Sequence, residues 1–520
     1  MKRKSRYSIE QLSNTLWDIV IIGGGATGVG AALEAASRGY KVVLIEQSDF
    51  GKATSSRSTK LAHGGVRYLQ QGNISLVFEA LKERGVMLRN APHLVHELPF
   101  IVPIYDWWEG PFYGIGLKIY DMLAGKAGFG PSKFLSKEET IKLIPTVELK
   151  GLKGGVIYHD GQFDDARLLI NLVQTAREQG ATMLNYLKAI ALKKEDKHLT
   201  GVVAQDEETG EEFIIKAKTV INATGVFTDS VRKMDDAQIQ NIMTGSQGIH
   251  LVLDKSFLPG NSGIMVPHTE DGRILFAVPW HDKTLIGTTD TFVSNYPLEP
   301  IPLESEITFL LEHAARYLTK DPKRSDVKSV FAGLRPLVNS GDNEDDTASI
   351  SRDHTITISV SGLISISGGK WTTYRKMGED VIEQAILIGD LMASDSISST
   401  LQIHGYHNNS YIYGSLKLYG SDANKINELL NEKVEYKELL HPDYEILIGE
   451  IVWAVRNEMA RNIDDFLARR TQLLILDAKA SIEVAPIVAR IIAKELGYGR
   501  RWRKNQVKQY LELAKNYILD

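Results

Sequence analysis

The segment STKLAHGGVRYLQ, residues 58–70, gathers residue types that could hold an anionic ligand close to the backbone. It contains Lys60, two adjacent glycines, Arg67 and Tyr68. The planar guanidinium of an arginine can donate two parallel hydrogen bonds to a phosphate and stays charged at any relevant pH. These residue types make Arg67 a candidate for binding an anion and Tyr68 a candidate for lining the same pocket. A surface ion pair is the alternative interpretation of Arg67.

Residues 17–47 predict a strand, a helix and a second strand around a nucleotide-binding turn. Gly23 permits the tight turn, Gly25 lets the backbone approach a pyrophosphate, and Gly28 allows close packing of helix on strand. Glu46 follows Gly28 by 18 positions, where its carboxylate can accept hydrogen bonds from ribose hydroxyls. A tight turn without a nucleotide is the alternative.

Two later segments predict further strands of the same sheet, residues 217–229 and residues 363–386. Between them, the alternating residues 272–290 are typical of an antiparallel sheet in a second domain. From about residue 395 the pattern is helical. We therefore expect a discontinuous nucleotide-binding domain, a substrate domain and a C-terminal helical domain. Their expected bounds are 15–86, 158–230 and 342–390 for the first, 87–157 and 231–341 for the second, and 395–520 for the third.

Composition excludes several classes of function. The 520 residues are 43% hydrophobic and 24% charged, as in ordinary globular proteins, and the net charge of −5 gives no basic field for nucleic acid. The chain has no cysteine, which excludes disulfides and thiolate chemistry, so redox work would need an organic cofactor. The acidic residues 339–349 favour a solvated turn over a metal site, and no metal is expected. No apolar run reaches the length of a spanning helix, which predicts an intracellular protein.

These motifs together resemble the FAD-dependent, quinone-linked glycerol-3-phosphate dehydrogenases. The resemblance implies an α/β fold with an FAD-binding Rossmann domain of the glutathione-reductase type, an antiparallel-sheet substrate domain and a C-terminal all-α domain. It also implies oxidation of sn-glycerol 3-phosphate to dihydroxyacetone phosphate. The segments that carry it are GGGATG, ATSSRSTKLAHGGVRYL, DDARL, INATG, GSQGIHLVL, GTTD, GLRPL and GGKWTTYRKM.

The resemblance also assigns roles to single residues. Arg67 and Arg335 would bind the phosphate, with Tyr68 beside them, and His250 would take the hydroxyl proton in contact with the substrate. Lys370 would stabilise negative charge on the reduced flavin; Arg67, Lys370 or water remain alternatives for the proton. The residues expected to bind the cofactor are Gly23, Gly25, Gly28, Glu46, Ser55, Ser56, Thr59, Gly225, Gly368, Gly369, Lys370 and Thr372.

The electron acceptor is expected to be a diffusible quinone, which the resemblance implies. The aromatic residues 105–126 favour peripheral contact with the inner face of the cell membrane, on the cytoplasmic side, or equally a core or homodimer interface. The basic residues 497–515 could add attachment to anionic lipid, although a solvated helix is commoner. Three alternatives stay open: an oxidase that makes peroxide, an NAD-dependent dehydrogenase, and a protein in which FAD is only structural.

Overall fold

The computed structural model describes residues 7–65, 73–106, 109–125, 128–266, 269, 274–338 and 353–519. Twenty strands fall within these residues. In chain order they are β1 (Leu16–Ile22), β2 (Val42–Glu46), β3 (Leu61–Ala62), β4 (Val95–Ile104), β5 (Lys133–Leu135), β6 (Gly154–Phe163), β7 (Thr182–Asn185), β8 (Leu187–Glu195), β9 (His198–Asp206), β10 (Glu212–Asn222), β11 (Met243–Asp254), β12 (Gly263–Val266), β13 (Leu275–Trp280), β14 (Lys283–Gly287), β15 (Thr291–Val293), β16 (Val327–Val338), β17 (His354–Ile358), β18 (Leu363–Gly368), β19 (Leu439–His441) and β20 (Tyr444–Leu447).

The same described residues contain fourteen α-helices. They are α1 (Ile9–Asn14), α2 (Ala26–Ser37), α3 (Ile74–Asn90), α4 (Glu109–Ala124), α5 (Lys137–Leu143), α6 (Asp165–Glu178), α7 (Thr228–Asp235), α8 (Glu304–Tyr317), α9 (Tyr374–Ile388), α10 (Ala423–Leu430), α11 (Ile448–Asn457), α12 (Leu473–Leu476), α13 (Ala478–Leu496) and α14 (Arg500–Ala514). A wide, π-type helical turn spans Asp465–Arg470.

The first sheet has eight strands, and its centre runs in the order β18-β10-β1-β2-β7 with all neighbours parallel. On β1, Ile19 and Ile21 face α2, α6 and α9, whereas Val20 and Ile22 face β8, β9, α1 and α7. Because both faces of β1 are covered, nearly every residue of this strand is apolar. The predicted strand–helix–strand unit and the two later strands of the same sheet are confirmed.

The second sheet has ten strands and is largely antiparallel, as the alternation in residues 272–290 predicted. Its longest pairing joins β11 to β16, and β13 to β14 form a hairpin. Ile249 and Leu251 on β11 pack toward α8, whereas Val252 belongs to the core shared with the C-terminal helices. Because successive strand residues point to opposite faces, His250 lies on the same face as Val252.

The C-terminal region is built from α10 to α14 and from the short hairpin β19–β20. Its apolar residues, among them Trp453, Phe466 and Leu474, form one core with Phe100 and Trp280 of the second sheet. The predicted helical character is confirmed, with the hairpin as an addition. The two hairpin strands are only three and four residues long, too short for a clear alternating pattern.

Candidate active site

The turn between β1 and α2 requires two of its glycines. Gly23 has a φ of +112°, and a Cβ there would lie 2.5 Å from the carbonyl oxygen of Ala223. A Cβ on Gly28 would lie 1.9 Å from the carbonyl oxygen of Gly23. Gly25 begins α2 and offers no side chain to cap it, so the first turn of the helix borders the adjacent cavity with its backbone. This is the geometry of a phosphate-binding helix N-terminus.

Glu46 stands at the end of β2 and is oriented by the backbone. Its Oε2 accepts a hydrogen bond from the amide of Gly24 (2.6 Å), and its Oε1 accepts one from the amide of Ser48 (2.9 Å). Burial raises the pKa of Glu46 despite these two bonds. The carboxylate is thus fixed at the cavity wall, and its contact with a ribose stays a prediction.

A cavity of about 500 Å³ opens beside this turn. Seven of the residues predicted to bind the cofactor line it: Gly23, Gly25, Glu46, Ser55, Gly225, Gly369 and Lys370. Five do not line it: Gly28, Ser56, Thr59, Gly368 and Thr372. Gly28 packs under the turn, and the Oγ1 of Thr59 lies 2.9 Å from the Nε2 of His250. For all twelve, contact with a cofactor remains a prediction.

Sequence reasoning missed several residues of the cavity wall. Lys52 and Thr54 line it from the loop after β2, Leu187 lines it from the start of β8, and Pro336 lines it from β16. Thr54 donates a hydrogen bond from Oγ1 to the carbonyl of Leu334 (2.6 Å), which ties the cofactor side to the second sheet. Thr54 lies within the segment ATSSRSTKLAHGGVRYL and Lys52 directly precedes it, whereas no sequence signal marked Leu187.

Trp371 connects the turn that contains Gly368 and Gly369 to the segment around Ser55 after β2. Its Nε1 donates to the carbonyl of Ser55 (2.9 Å), and its ring packs edge-on against Phe163 with centroids 5.0 Å apart. Gly369, with a φ of +75°, leaves no space for a side chain, because a Cβ would lie 2.5 Å from the Sδ of Met377. Trp371 was quoted within the GGKWTTYR motif but was given no role.

His250 lies on β11, 3% exposed, beside the cofactor side of the second sheet. Its Nε2 is 2.9 Å from the Oγ1 of Thr59, and its ring stacks on Phe331 with centroids 4.9 Å apart. A Cβ on Gly287 would lie 2.1 Å from the Cδ2 of His250, so the facing glycine makes room for the imidazole. Burial, and then the charges of Arg335 and Lys60, hold the pKa of His250 well below its usual value.

Arg335 lies opposite Ser246 on the neighbouring strand, with its guanidinium held from two sides. Its Nη2 donates to the carbonyl of Thr289 (2.8 Å) and to the Oγ1 of Thr288 (3.1 Å). Its Nη1 donates to the Oγ of Ser246 (3.2 Å) and lies 3.4 Å from Asp290. The side chain is therefore fixed rather than free to swing through solvent.

Arg335 and His250 point to the same region. A Cβ on Gly248 would lie 2.4 Å from the Nη2 of Arg335, so the guanidinium lies over the glycine two residues before His250. The second glycine of the GSQG run thus allows the cation to reach toward the imidazole. Lys370 lines the cavity that Pro336, the neighbour of Arg335, also borders. Arg67 and Tyr68 lie outside the described residues.

Lys60 is a buried cation that the sequence analysis left without a role. Its Nζ donates to both carboxylate oxygens of Asp165 (2.7 and 2.8 Å) and to the carbonyl of Ser56 (2.8 Å). It also lies 5.6 Å from the centroid of Phe331, on which His250 stacks. Lys60 therefore fixes the backbone between the cavity and His250.

The part of the motif that leads to Arg67 is anchored on α4. The amide of Gly64 donates to the hydroxyl of Tyr120 (2.8 Å), which in turn donates to Asp160 (2.7 Å). Arg84 donates to the other oxygen of this carboxylate (2.7 Å). This buried chain fixes the backbone three residues before Arg67.

These residues fit an FAD molecule. The cavity is bordered by a glycine turn, a helix N-terminus and Glu46, which suit a diphosphate and a ribose. Gly225, with a φ of +59°, leaves open space on the wall, because a Cβ there would meet nothing within 4 Å. Lys370 supplies a cation on the same wall.

Family comparisons agree with this geometry. Residues 18–375 match the family described as FAD dependent oxidoreductase. Residues 364–504 match the C-terminal domain of alpha-glycerophosphate oxidase.

Curated relatives match over nearly the whole chain. A mitochondrial glycerol-3-phosphate dehydrogenase of Schizosaccharomyces pombe is 37% identical and covers 98% of this chain and 88% of its own length. The mitochondrial glycerol-3-phosphate dehydrogenase SDP6 of Arabidopsis thaliana is 38% identical, over 96% of this chain and 86% of its own. The human mitochondrial enzyme is 39% identical, over 98% of this chain and 74% of its own.

Among solved structures, the glycerol-3-phosphate dehydrogenase of Bacillus halodurans complexed with FAD has a TM-score of 0.81 and 29% identity. That match covers 98% of this chain and 97% of the other. The L-alpha-glycerophosphate oxidase of Mycoplasma pneumoniae has a TM-score of 0.58 at 17% identity, over 74% of this chain and 97% of its own, and shares the fold. With these matches and the cavity described above, the chain belongs to the FAD-dependent glycerol-3-phosphate dehydrogenase family.

Proposed function

We propose that this protein oxidises sn-glycerol 3-phosphate to dihydroxyacetone phosphate with FAD as its cofactor. The observation that carries the proposal is the placement of Arg335 and His250. A fixed guanidinium and a neutral imidazole share one face of the second sheet, beside the cofactor cavity. An alcohol that carries a phosphate needs a cation for the phosphate and a base for the hydroxyl proton.

Arg335 binds the phosphate in this proposal. Its contacts with Ser246, Thr288 and Thr289 hold the guanidinium before substrate arrives, so little side-chain freedom is lost on binding. The nearby carboxylate of Asp290 partly balances its charge in the free enzyme. Arg67 would supply a second cation.

His250 accepts the C2 hydroxyl proton. The lowered pKa keeps the imidazole neutral, which is the form that can take a proton. Thr59 holds the Nε2 edge of the ring, which restricts its orientation. Lys370 favours negative charge at the cofactor side of the cavity. FAD, when bound, supplies the two-electron acceptor.

The proposed domains follow the two sheets. Residues 15–86, 158–230 and 342–390 would form the FAD-binding domain around the first sheet. Residues 87–157 and 231–341 would form the substrate domain around the second, and residues 395–520 the helical domain. The two-residue strand β3 lies within residues 15–86 but pairs with β6 of the second sheet, so this stretch of the proposed FAD-binding domain contributes to both sheets.

Quinone as acceptor and peripheral membrane association belong to the same proposal. On α4, the exposed side chains Ile115 (63%), Ile119 (43%) and Met122 (81%) recur at helical spacing and form an apolar outer face. Such a face suits the inner surface of the cell membrane on the cytoplasmic side, and a homodimer contact would bury it as well. Among the described residues, none of the helices is long and apolar enough to cross a bilayer.

An anaerobic titration tests the function. Glycerol 3-phosphate should bleach the flavin absorbance of the purified protein, and glycerol should not. A quinone analogue should then restore the absorbance much faster than oxygen. No bleaching would reject the substrate; fast reoxidation by oxygen with stoichiometric peroxide would reject the quinone. Sedimentation with anionic vesicles, compared between the wild type and Ile119→Glu, tests the membrane contact.

A further inference from the structure

The loop that follows Glu46 carries a fully buried carboxylate, Asp49. Arg469 donates from Nε to its Oδ2 (2.6 Å), and Arg470 donates to both of its oxygens (2.6 and 2.9 Å). Asn185 adds a weaker bond (3.2 Å). Both oxygens of Asp49 are thus occupied by guanidinium groups from the helical C-terminal region, about 420 residues away in sequence.

The two arginines are themselves held in place. Arg469 donates to Asp464 and Asp465 (both 2.9 Å), and Arg470 donates to the carbonyl of Glu458 (2.7 Å). Asp465 also accepts a hydrogen bond from the amide of Arg461 (2.7 Å), which precedes the π-type turn. The π-type turn therefore presents a rigid pair of cations to the loop.

A second set of ionic contacts to the loop starts from Lys52, a residue of the cavity wall. Lys52 lines the cofactor cavity, and its Nζ lies 2.7 Å from Asp464 and forms an ion pair with Glu299. Glu299 also pairs with Arg57, at the other end of the loop, and accepts a hydrogen bond from Tyr517 (3.3 Å). The loop 47–57 is thus fastened at three positions, while residues 51–55 border the cavity.

A buried ion pair strongly favours the state in which the loop is bound to the helical region over a state in which the loop has moved away. Removing one partner of a buried ion pair leaves an uncompensated charge and is strongly destabilising, whereas apolar packing of the same volume would often serve stability equally well. Burial acts to raise the pKa of Asp49, and the two guanidinium groups outweigh it and keep the carboxyl ionised. The ion pair therefore persists at neutral pH.

We propose that Asp49 and Arg470 are positioning residues with which the helical C-terminal region holds the cofactor loop closed, so that retention of FAD depends on this contact. The inference uses the FAD cofactor of the family and is independent of the proposed roles of His250 and Arg335. Neither residue lines the cavity. Their effect is transmitted by Lys52 and its neighbours in the loop.

The test compares FAD release from holoenzymes. Asp49→Asn, which keeps the side-chain volume, should release FAD at least tenfold faster on dilution, measured by the rise in free-flavin fluorescence. Glu208→Gln is the matched control. It removes the negative charge and one of the two bonds from Arg461 (2.8 and 2.7 Å), which also join the helical region to the first sheet but do not touch the loop. This control should lower the melting temperature without faster release.

Equal release from Asp49→Asn and Glu208→Gln, at equal losses of melting temperature, would overturn the proposal. If Asp49→Asn does not accumulate as folded protein, Arg470→Lys takes its place in the test. Lysine keeps the positive charge but lacks the planar guanidinium that donates to both oxygens of Asp49. This variant should then give an intermediate release rate, and a wild-type rate would overturn the proposal. Substrate is absent from these measurements, so their failure would leave the proposed reaction untouched.

Discussion

The imidazole of His250 is held on its Nε2 edge by Thr59, at 2.9 Å, and on its face by the ring of Phe331. Thr59 belongs to the segment 58–70 that follows β2, and Phe331 belongs to strand β16. The orientation of the His250 ring therefore depends on the packing of the cofactor side of the protein against the substrate side.

Replacement of His250 by Gln should lower kcat about 10²- to 10⁴-fold, the usual contribution of a general base. Glutamine can still bond Thr59 but cannot accept the substrate proton. Rapid-mixing reduction of the flavin under anaerobic conditions measures the step directly. The FAD content should match the wild type, and a reduction rate within threefold of the wild type would assign the proton to another group.

Replacement of Arg335 by Ala should raise KM for glycerol 3-phosphate about 30- to 150-fold, because charge-assisted bonds contribute roughly 2–3 kcal/mol. It should also leave the carboxylate of Asp290 facing the phosphate. Steady-state kinetics give the value, and Arg324→Ala, which breaks an exposed ion pair with Glu304, is the control. An unchanged KM would remove Arg335 from the pocket.

Replacement of Gly28 by Ala should abolish FAD binding, because the new Cβ would lie 1.9 Å from the backbone oxygen of Gly23. Overpacking of this kind costs about 1–3 kcal/mol or more. Gly116→Ala is the matched control in α4, where a Cβ meets nothing within 4 Å, and it should stabilise the protein by about 0.5–1 kcal/mol. Calorimetry and flavin absorbance test both, and a yellow, stable Gly28→Ala protein would contradict the prediction.

Replacement of Tyr120 by Phe should raise KM and lower stability by about 1–3 kcal/mol, because it removes the hydroxyl between the Gly64 amide and Asp160. Tyr158→Phe loses only a bond to the sulfur of Met265 (3.1 Å) and should leave KM unchanged. Kinetics and thermal unfolding of the two variants provide the comparison. Identical KM values for Tyr120→Phe and the wild type would show that substrate binding does not depend on the bond between Gly64 and Tyr120.

His404 should make stability depend on pH. Burial opposes its charge, but bonds to Asp422 (2.5 Å) and Glu178 (2.6 Å) prevail and raise its pKa. A raised pKa stabilises the fold fully below the unfolded value, about 6.5, and this gain disappears as pH rises through the folded value.

The difference in melting temperature between the wild type and His404→Gln should therefore be large at pH 6 and shrink toward pH 9. The neighbouring buried His93, with a pKa lowered to about 4, is neutral across this range. His198→Gln, on the exposed hairpin β8–β9, is the control for the substitution itself. A difference that grows with pH would reverse the assignment.

The sequence predicted those features that depend on local spacing. The strand–helix–strand unit, Gly23 and Gly28 follow from periodicity and turn chemistry, and the structure agrees with them. The Lys60–Asp165 pair and the Asp49–Arg470 pair join residues 105 and 421 positions apart. Sequence periodicity carries no information about contacts between residues so far apart. The buried Lys60, which pairs with Asp165, could therefore not be distinguished from a cation that binds a ligand.

The first sheet pairs β1 with β10 and β10 with β18, so its centre is assembled from segments spread over about 350 residues. On the ribosome, β1 can pair with β2 soon after it emerges, but its other edge stays open until β10 is synthesised. Parallel pairings of such long range form slowly and leave the nascent chain prone to aggregation. Because Arg470 emerges later still, its contact with Asp49, and with it the proposed retention of FAD, can form only after most of the chain has been synthesised.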